Sequence, residues 1–321
     1  MRKKIFSGTI FLLIISCIIT QTGAGDDAAQ PLQYLIEAEG LSKGSSVSGN
    51  TPPGGYLKQG ISYYRNHNFS QAISELSKAI KANSRSADAY FYRGLSYAAD
   101  GNVEQAVFDY NRAINLNPKY LEAYYVRALA YSVKHEMDKA AADYSKVIEM
   151  DPKYVQAYIG RGFINAVAGN TDKAISDINK AIEIDPKIAK AYFIRAVTFA
   201  NEDKMDQAIA DYSKAIELNG KYVEAYINRA LAYAYKSRIE QAERGTPFID
   251  KAAFERAFAD CDKAIVLDPQ NSGAYLARAR VSMMKLDFDS AWSDVHRAEE
   301  MGGSAKQDFL TELKKASGRE R

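Results

Sequence analysis

The residues best suited to chemistry form two matched columns. Arginine stands at Arg93, Arg127, Arg161, Arg195, Arg229 and Arg278. Aspartate follows sixteen residues later at Asp109, Asp143, Asp177, Asp211 and Asp294, and at Asp260 after a longer interval. A row of guanidiniums could bind anions. A row in which each has its own carboxylate is instead a repeated, partly buried ion pair that holds one helix against another. The matched absence favours this second reading, because the segment before Arg93 has Gln59 and Glu75 in place of the pair. Catalytic chemistry finds little support. His67, His135 and His296 are scattered, and Cys261 has no histidine set at nucleophile–base or metal-ligand spacing. No glycine-rich phosphate loop, HExxH or GxSxG occurs. A non-enzyme without cofactor or metal is expected.

Composition narrows the partner. The chain has 321 residues, 47% hydrophobic and 26% charged, close to globular averages. Three of its 42 basic residues, Arg2, Lys3 and Lys4, fall in the N-terminal segment, leaving 39 against 40 acidic ones. A near-neutral chain without basic runs lacks the electrostatic footprint of a nucleic-acid binder. The two cysteines, Cys17 and Cys261, cannot make a disulfide framework. Cys261 reads as a small core residue on an inward helix face.

Residues 1–25 have a basic start, an apolar run from Ile5 to Ile19 and then small polar residues, the pattern of a secretory signal. The run is short for a membrane span. Two processing readings stay open. Cleavage after Ala24 would release a soluble exported protein, periplasmic or secreted. A loose lipobox at Ile14-Ile15-Ser16-Cys17 would instead place a lipid on Cys17 and anchor the chain. Any membrane contact would come through that lipid or an uncleaved signal. Residues 26–52 form a leader with weak helical periodicity over Pro31–Leu41 and a Gly/Ser-rich linker after it. That short helix could be a movable segment that occupies the binding surface.

These elements serve a repeat that begins at Tyr56. Tyrosines recur every 34 residues at Tyr56, Tyr90, Tyr124, Tyr158, Tyr192 and Tyr226, and then at Tyr275. Four residues after each stands a small residue: Gly60, Gly94, Ala128, Gly162, Ala196, Ala230 and Ala279. Alanine recurs at Ala72, Ala106, Ala140, Ala174, Ala208, Ala257 and Ala291, and Pro118, Pro152, Pro186 and Pro269 end units. Each period reads as two short amphipathic helices, with small residues where they cross and proline where the second must stop.

The pattern Tyr90-x2-Arg93-Gly94-x2-Tyr97, Ala106-x3-Tyr110, Pro118 resembles the tetratricopeptide repeat. The resemblance implies an all-α right-handed solenoid of about seven helix-turn-helix repeats at 53–86, 87–120, 121–154, 155–188, 189–222, 223–271 and 272–305. A capping helix and tail follow at 306–321. The sixth repeat carries an insertion at about 237–251. Its first helix is expected to run through Glu243, with Asp250 capping the second. The resemblance also implies a protein or peptide partner held on the concave face of the first helices. There the chain presents Phe91, Tyr125, Ile159, Phe193 and Ile227, and four residues on Leu95, Leu129, Phe163, Val197 and Leu231. Chaperone-binding relatives carry basic and amide residues at such positions. Here the row is apolar until Arg280, so an apolar groove is expected, unless a tight superhelix buries these side chains. The functional reading is a non-catalytic exported scaffold, like tetratricopeptide proteins that organise bacterial envelope assemblies. The alternative is a structural subunit of an envelope or secretion assembly, or the accessory module of a separately encoded enzyme.

Overall fold

The computed structural model describes residues 55–244 and 250–319. The Cys17 lipidation reading, the signal and the leader lie outside these residues. The described chain forms two compact bodies, 55–184 and 185–319. Each is an all-α stack of antiparallel helix pairs, with no strand among the described residues.

The N-terminal body contains α1 (Tyr56–Arg65), α2 (Phe69–Ala82), α3 (Ala87–Ala99), α4 (Val103–Leu116), α5 (Leu121–Val133), α6 (Met137–Met150), α7 (Val155–Val167) and α8 (Thr171–Ile184). Within each pair the helices touch along the small-residue columns. A Cβ added to Gly94 would lie 2.6 Å from Cε1 of Tyr110, and one on Gly162 would lie 2.7 Å from Cδ1 of Ile178. Ala72, Ala106, Ala140 and Ala174 are fully buried on the facing helices. Small residues here shorten the interhelical distance, and the aromatic and branched side chains beside them fill the remaining space.

Among the described residues, six of the pairs turn at one residue in the left-handed region. Gly101 (φ 90°) and Gly169 (φ 74°) adopt it without strain, whereas His67, His135, Asp203 and Leu286 adopt it at φ 58–68°. A side chain there costs of order 1 kcal/mol. Leu286 combines φ 68° with 62% exposure. Leu286→Gly is therefore expected to stabilise the last repeat by about 0.5–1 kcal/mol, measured as a higher urea midpoint, since little packing is lost.

Between pairs, an Asx side chain closes the loop. Asn83, Asn117 and Asp151 accept from the amides of Arg85, Lys119 and Lys153, and Asp185, Asn219 and Asp268 repeat the contact in the second body. After Asn117, Asp151, Asp185 and Asp268 a proline one residue on prevents the second helix from continuing, whereas Ser84 and Gly220 stand there after Asn83 and Asn219.

The C-terminal body contains α9 (Ala189–Asn201), α10 (Met205–Leu218), α11 (Val223–Arg244), α12 (Lys251–Leu267), α13 (Ser272–Met284), α14 (Phe288–Glu300) and α15 (Gln307–Ser317). α11 has 22 residues where its counterpart α9 has 13, and α12 has 17 where α10 has 14. Of the insertion, the described residues 237–244 lengthen α11, and residues 245–249 lie outside the described residues. Asp250 caps α12 by accepting from the Ala253 amide. α15 closes the apolar end: Phe309 and Leu313 pack with Ala291, Trp292 and Val295, and Trp292 Nε1 donates to Ser317 Oγ at 3.2 Å. Without such a helix the last repeat would expose its apolar face.

Candidate functional site

Every arginine of the column meets its aspartate in a two-pronged pair. Arg93 Nε and Nη2 donate to Asp109 Oδ2 and Oδ1, both at 2.8 Å. Arg127 pairs with Asp143, Arg161 with Asp177, Arg195 with Asp211, Arg229 with Asp260 and Arg278 with Asp294 at 2.6–3.0 Å. The remaining nitrogen, Nη1, reaches the preceding repeat. It donates to Ser77 from Arg93, to Asn111 from Arg127, to Ser145 from Arg161, to Ser213 from Arg229 and to Asp262 from Arg278. One guanidinium therefore joins three helices from two consecutive repeats. Charge-assisted, bidentate geometry makes this a stiff link. Tyr90, Tyr124, Tyr158, Tyr192, Tyr226 and Tyr275 lie against the arginines at 5.4–5.9 Å from ring centroid to guanidinium carbon, adding cation–π attraction.

The electrostatics show how far these pairs are withdrawn from water. Burial pushes the Asp109 carboxyl above its ordinary value, even against the hydrogen bond and charge of Arg93. Burial also depresses the Arg93 guanidinium, but Asp109 more than offsets this and the group is raised. For Arg161 the hydrogen bond it donates to Asp177 is the largest effect and raises it. Each of these arginines already has a carboxylate of the fold as its counter-charge.

The apolar columns are not an open groove, and this corrects the sequence expectation. Phe91, Leu95, Tyr125, Leu129, Ile159, Phe193, Val197, Ile227 and Leu231 are all buried, and Phe163 is partly buried. The reason lies in the loops. Tyr120 covers Phe91 with ring centroids 4.7 Å apart, Tyr154 covers Tyr125 at 5.1 Å, and Tyr222 covers Phe193 at 4.9 Å. Each is the residue just before the next first helix. These columns are the core between repeats, and a partner cannot reach them.

One open cleft is lined mostly by polar side chains. In the N-terminal body, Ala141, Ser145, Arg161, Asn165, Asp172, Lys173, Ser176 and Asp177 line a cleft of about 560 Å³ between α6 and α8. The residue four positions after the arginine differs in this repeat. Tyr97 and Tyr131 lie over Arg93 and Arg127 at 5.8 and 5.7 Å, and Lys139 caps Tyr131 from the other side at 5.3 Å. The equivalent position beside Arg161 is Asn165, whose Nδ2 donates to Asp177 Oδ2 at 3.2 Å. Accordingly Arg161 is 26% exposed, against 16% for Arg93 and Arg127. Lys173 stands where Lys139 does in the preceding repeat but has no ring to cap. The cleft offers an ammonium, hydroxyls and an amide above a neutralised ion pair.

The other polar residues add no chemistry. His67 and His135 sit in the left-handed turns, and His296 stacks on Trp292 at 6.0 Å. Cys261 is buried, and burial followed by the nearby Asp260 and Asp262 pushes its thiol far above the usual range. Among the described residues no group of three His, Cys, Asp or Glu could hold a metal ion, and no helix is long and apolar enough to cross a membrane.

The fold and its repeated site define an all-α helical repeat solenoid. A family profile for the tetratricopeptide repeat matches residues 57–120 and 125–189, and a second matches 189–222. The chain belongs to the tetratricopeptide-repeat family. No curated protein sequence matches it significantly. Among solved structures it is similar to a tetratricopeptide repeat protein from Parabacteroides merdae, with TM-score 0.63 and 20% identity over 82% of this chain and 98% of that one. It also matches YrrB, described as a protein with an unusual peptide-binding site (TM-score 0.48, 23% identity, 63% of this chain and 97% of that one). MamA matches with TM-score 0.48 and 25% identity over 51% of this chain and 96% of that one. Repeats of this family make protein–protein interaction scaffolds, and the fold is generally non-catalytic.

Proposed function

We propose that this scaffold works outside the cytoplasm and holds a protein or peptide partner by taking one of its acidic or amide side chains in the cleft over Arg161 and Asn165. The observation that carries this reading is the interrupted aromatic column. Tyr97 and Tyr131 lie over the arginines of their repeats, whereas Asn165 stands at that position beside Arg161, in the cleft that Lys173 also lines. A carboxylate entering there would meet Lys173 and the exposed edge of Arg161, a charge-assisted contact. The reading of export rests on the apolar run from Ile5 to Ile19 behind a basic start.

The site is tested by Asn165→Tyr, which restores the residue type found at positions 97 and 131. The variant is expected to fold with an unchanged or higher melting temperature. Its partner, retained by the wild-type chain in the native host and identified by crosslinking with mass spectrometry, should be lost. Full retention of that partner would remove the cleft from consideration. Export with cleavage is tested by the mature N-terminus: a chain isolated from its host with all of residues 1–24 intact would contradict it. Palmitate incorporation that survives Cys17→Ser would exclude the lipid-anchored form.

A further inference from the structure

The register that is apolar in six repeats changes in the last, where Ile61, Leu95, Leu129, Phe163, Val197 and Leu231 give way to Arg280. Its guanidinium carbon lies 4.7 Å from the ring centroid of Phe309, a buried residue of α15. Immediately before α15 stands Lys306. Its Nζ is enclosed and has no hydrogen-bond partner. Neither cation has an acidic partner within bonding distance among the described residues. Burial and the charge of Arg280 both depress the Lys306 ammonium, while the exposed Asp308 raises it only in part. α15 adds its own positive end, since no side chain caps its first amides.

Buried polar groups in folded proteins are almost always paired, and a buried ammonium beside a second cation is among the most costly to leave unpaired. Arg280 belongs to α13 and Lys306 is the N-cap of α15, whose first-turn Phe309 packs under the Arg280 guanidinium. A group of opposite charge placed between them would meet a guanidinium, an ammonium and free helix amides.

We propose that Arg280 and Lys306, at the N-terminus of α15, form a receptor for an oxyanion, a carboxylate or a phosphate. The site is independent of the cleft over Arg161, lies in the other body and uses different chemistry. It would give the closed end of the scaffold a second point of attachment.

The test is calorimetric titration of the full chain at constant ionic strength, with inorganic phosphate in one arm and triglutamate in the other. The wild-type chain is expected to bind at least one probe. Lys306→Met and Arg280→Met should each weaken that binding by about tenfold or more, the scale of one charge-assisted contact. Tighter binding of phosphate identifies a free anion as the ligand type, and tighter binding of triglutamate identifies a carboxylate carried by a polypeptide. Thermal melts keep the test independent of folding. Lys306→Met removes an unpaired ammonium and should melt at or above the wild-type temperature without added anion. Failure of the wild-type chain to bind either probe, or binding by both variants as tight as that of the wild-type chain, overturns the proposal.

Discussion

Replacing Arg127 with alanine is expected to destabilise the N-terminal body by about 3–5 kcal/mol. The change removes both bonds to Asp143 and leaves its carboxylate 8% exposed without a counter-charge. It also frees Asn111 of the preceding repeat and removes the stacking of Tyr124 and Tyr131. The double replacement Arg127→Met with Asp143→Leu should recover much of this loss, because desolvating the pair already costs free energy that apolar residues of similar size avoid. Urea unfolding followed by circular dichroism measures both variants. Hydrogen exchange should localise the single variant's loss to α3 through α6, as expected when repeats couple mainly to their neighbours. Equal midpoints for the single and double variants would show that the pair is a surface contact of little energetic weight.

Trp292→Ala is expected to cost about 3–5 kcal/mol in the C-terminal body, the usual range for truncating a large buried aromatic side chain. Trp292 fills the space between α14 and α15 and donates to Ser317 at the far end of the cap. Its loss should detach α15 before the rest of the body unfolds, seen as accelerated amide exchange across Gln307–Ser317. Because Trp292 is the one tryptophan in the chain, Leu313→Ala gives an independent reading: its cap-specific melting should appear first in tryptophan fluorescence. Coincident loss of fluorescence and helical signal in that variant would show that the cap and the repeats unfold as one.

Much of the architecture is legible in the residues because the fold repeats. The crossing columns from Gly60 to Ala279 and from Ala72 to Ala291 have one residue type or two, each required by a close helix approach, so they stand out against the 34-residue period. The arginine and aspartate columns are equally plain. Their third member is not, since Ser77, Asn111, Ser145, Ser213 and Asp262 share only small size and polarity. Phe91 and Leu95 show where helix periodicity misleads. An isolated first helix presents them as a continuous apolar face, but Tyr120 reaches over that face from the loop that follows, and a helical wheel contains no loop. The Lys-Tyr pairs at 119–120, 153–154 and 221–222 were the available signal. The left-handed turn is visible at Gly101 and Gly169 but hidden at Leu286, whose side chain gives no hint of positive φ. Asn165 matters only by contrast with Tyr97 and Tyr131, a difference that becomes meaningful once the arginine beneath is known to be covered in one repeat and open in another.

On the proposed reading the partner binds in the polar cleft and not on the buried apolar columns. The most direct measurement introduces a photocrosslinking amino acid at Ser176, on the lip of the open cleft, and separately at Ala142, the equivalent exposed position one repeat earlier where Tyr131 closes the groove. In the native host, the partner should crosslink to the chain modified at position 176 and not to the one modified at 142. Equal crosslinking at both positions, or crosslinking at 142 alone, would contradict the account.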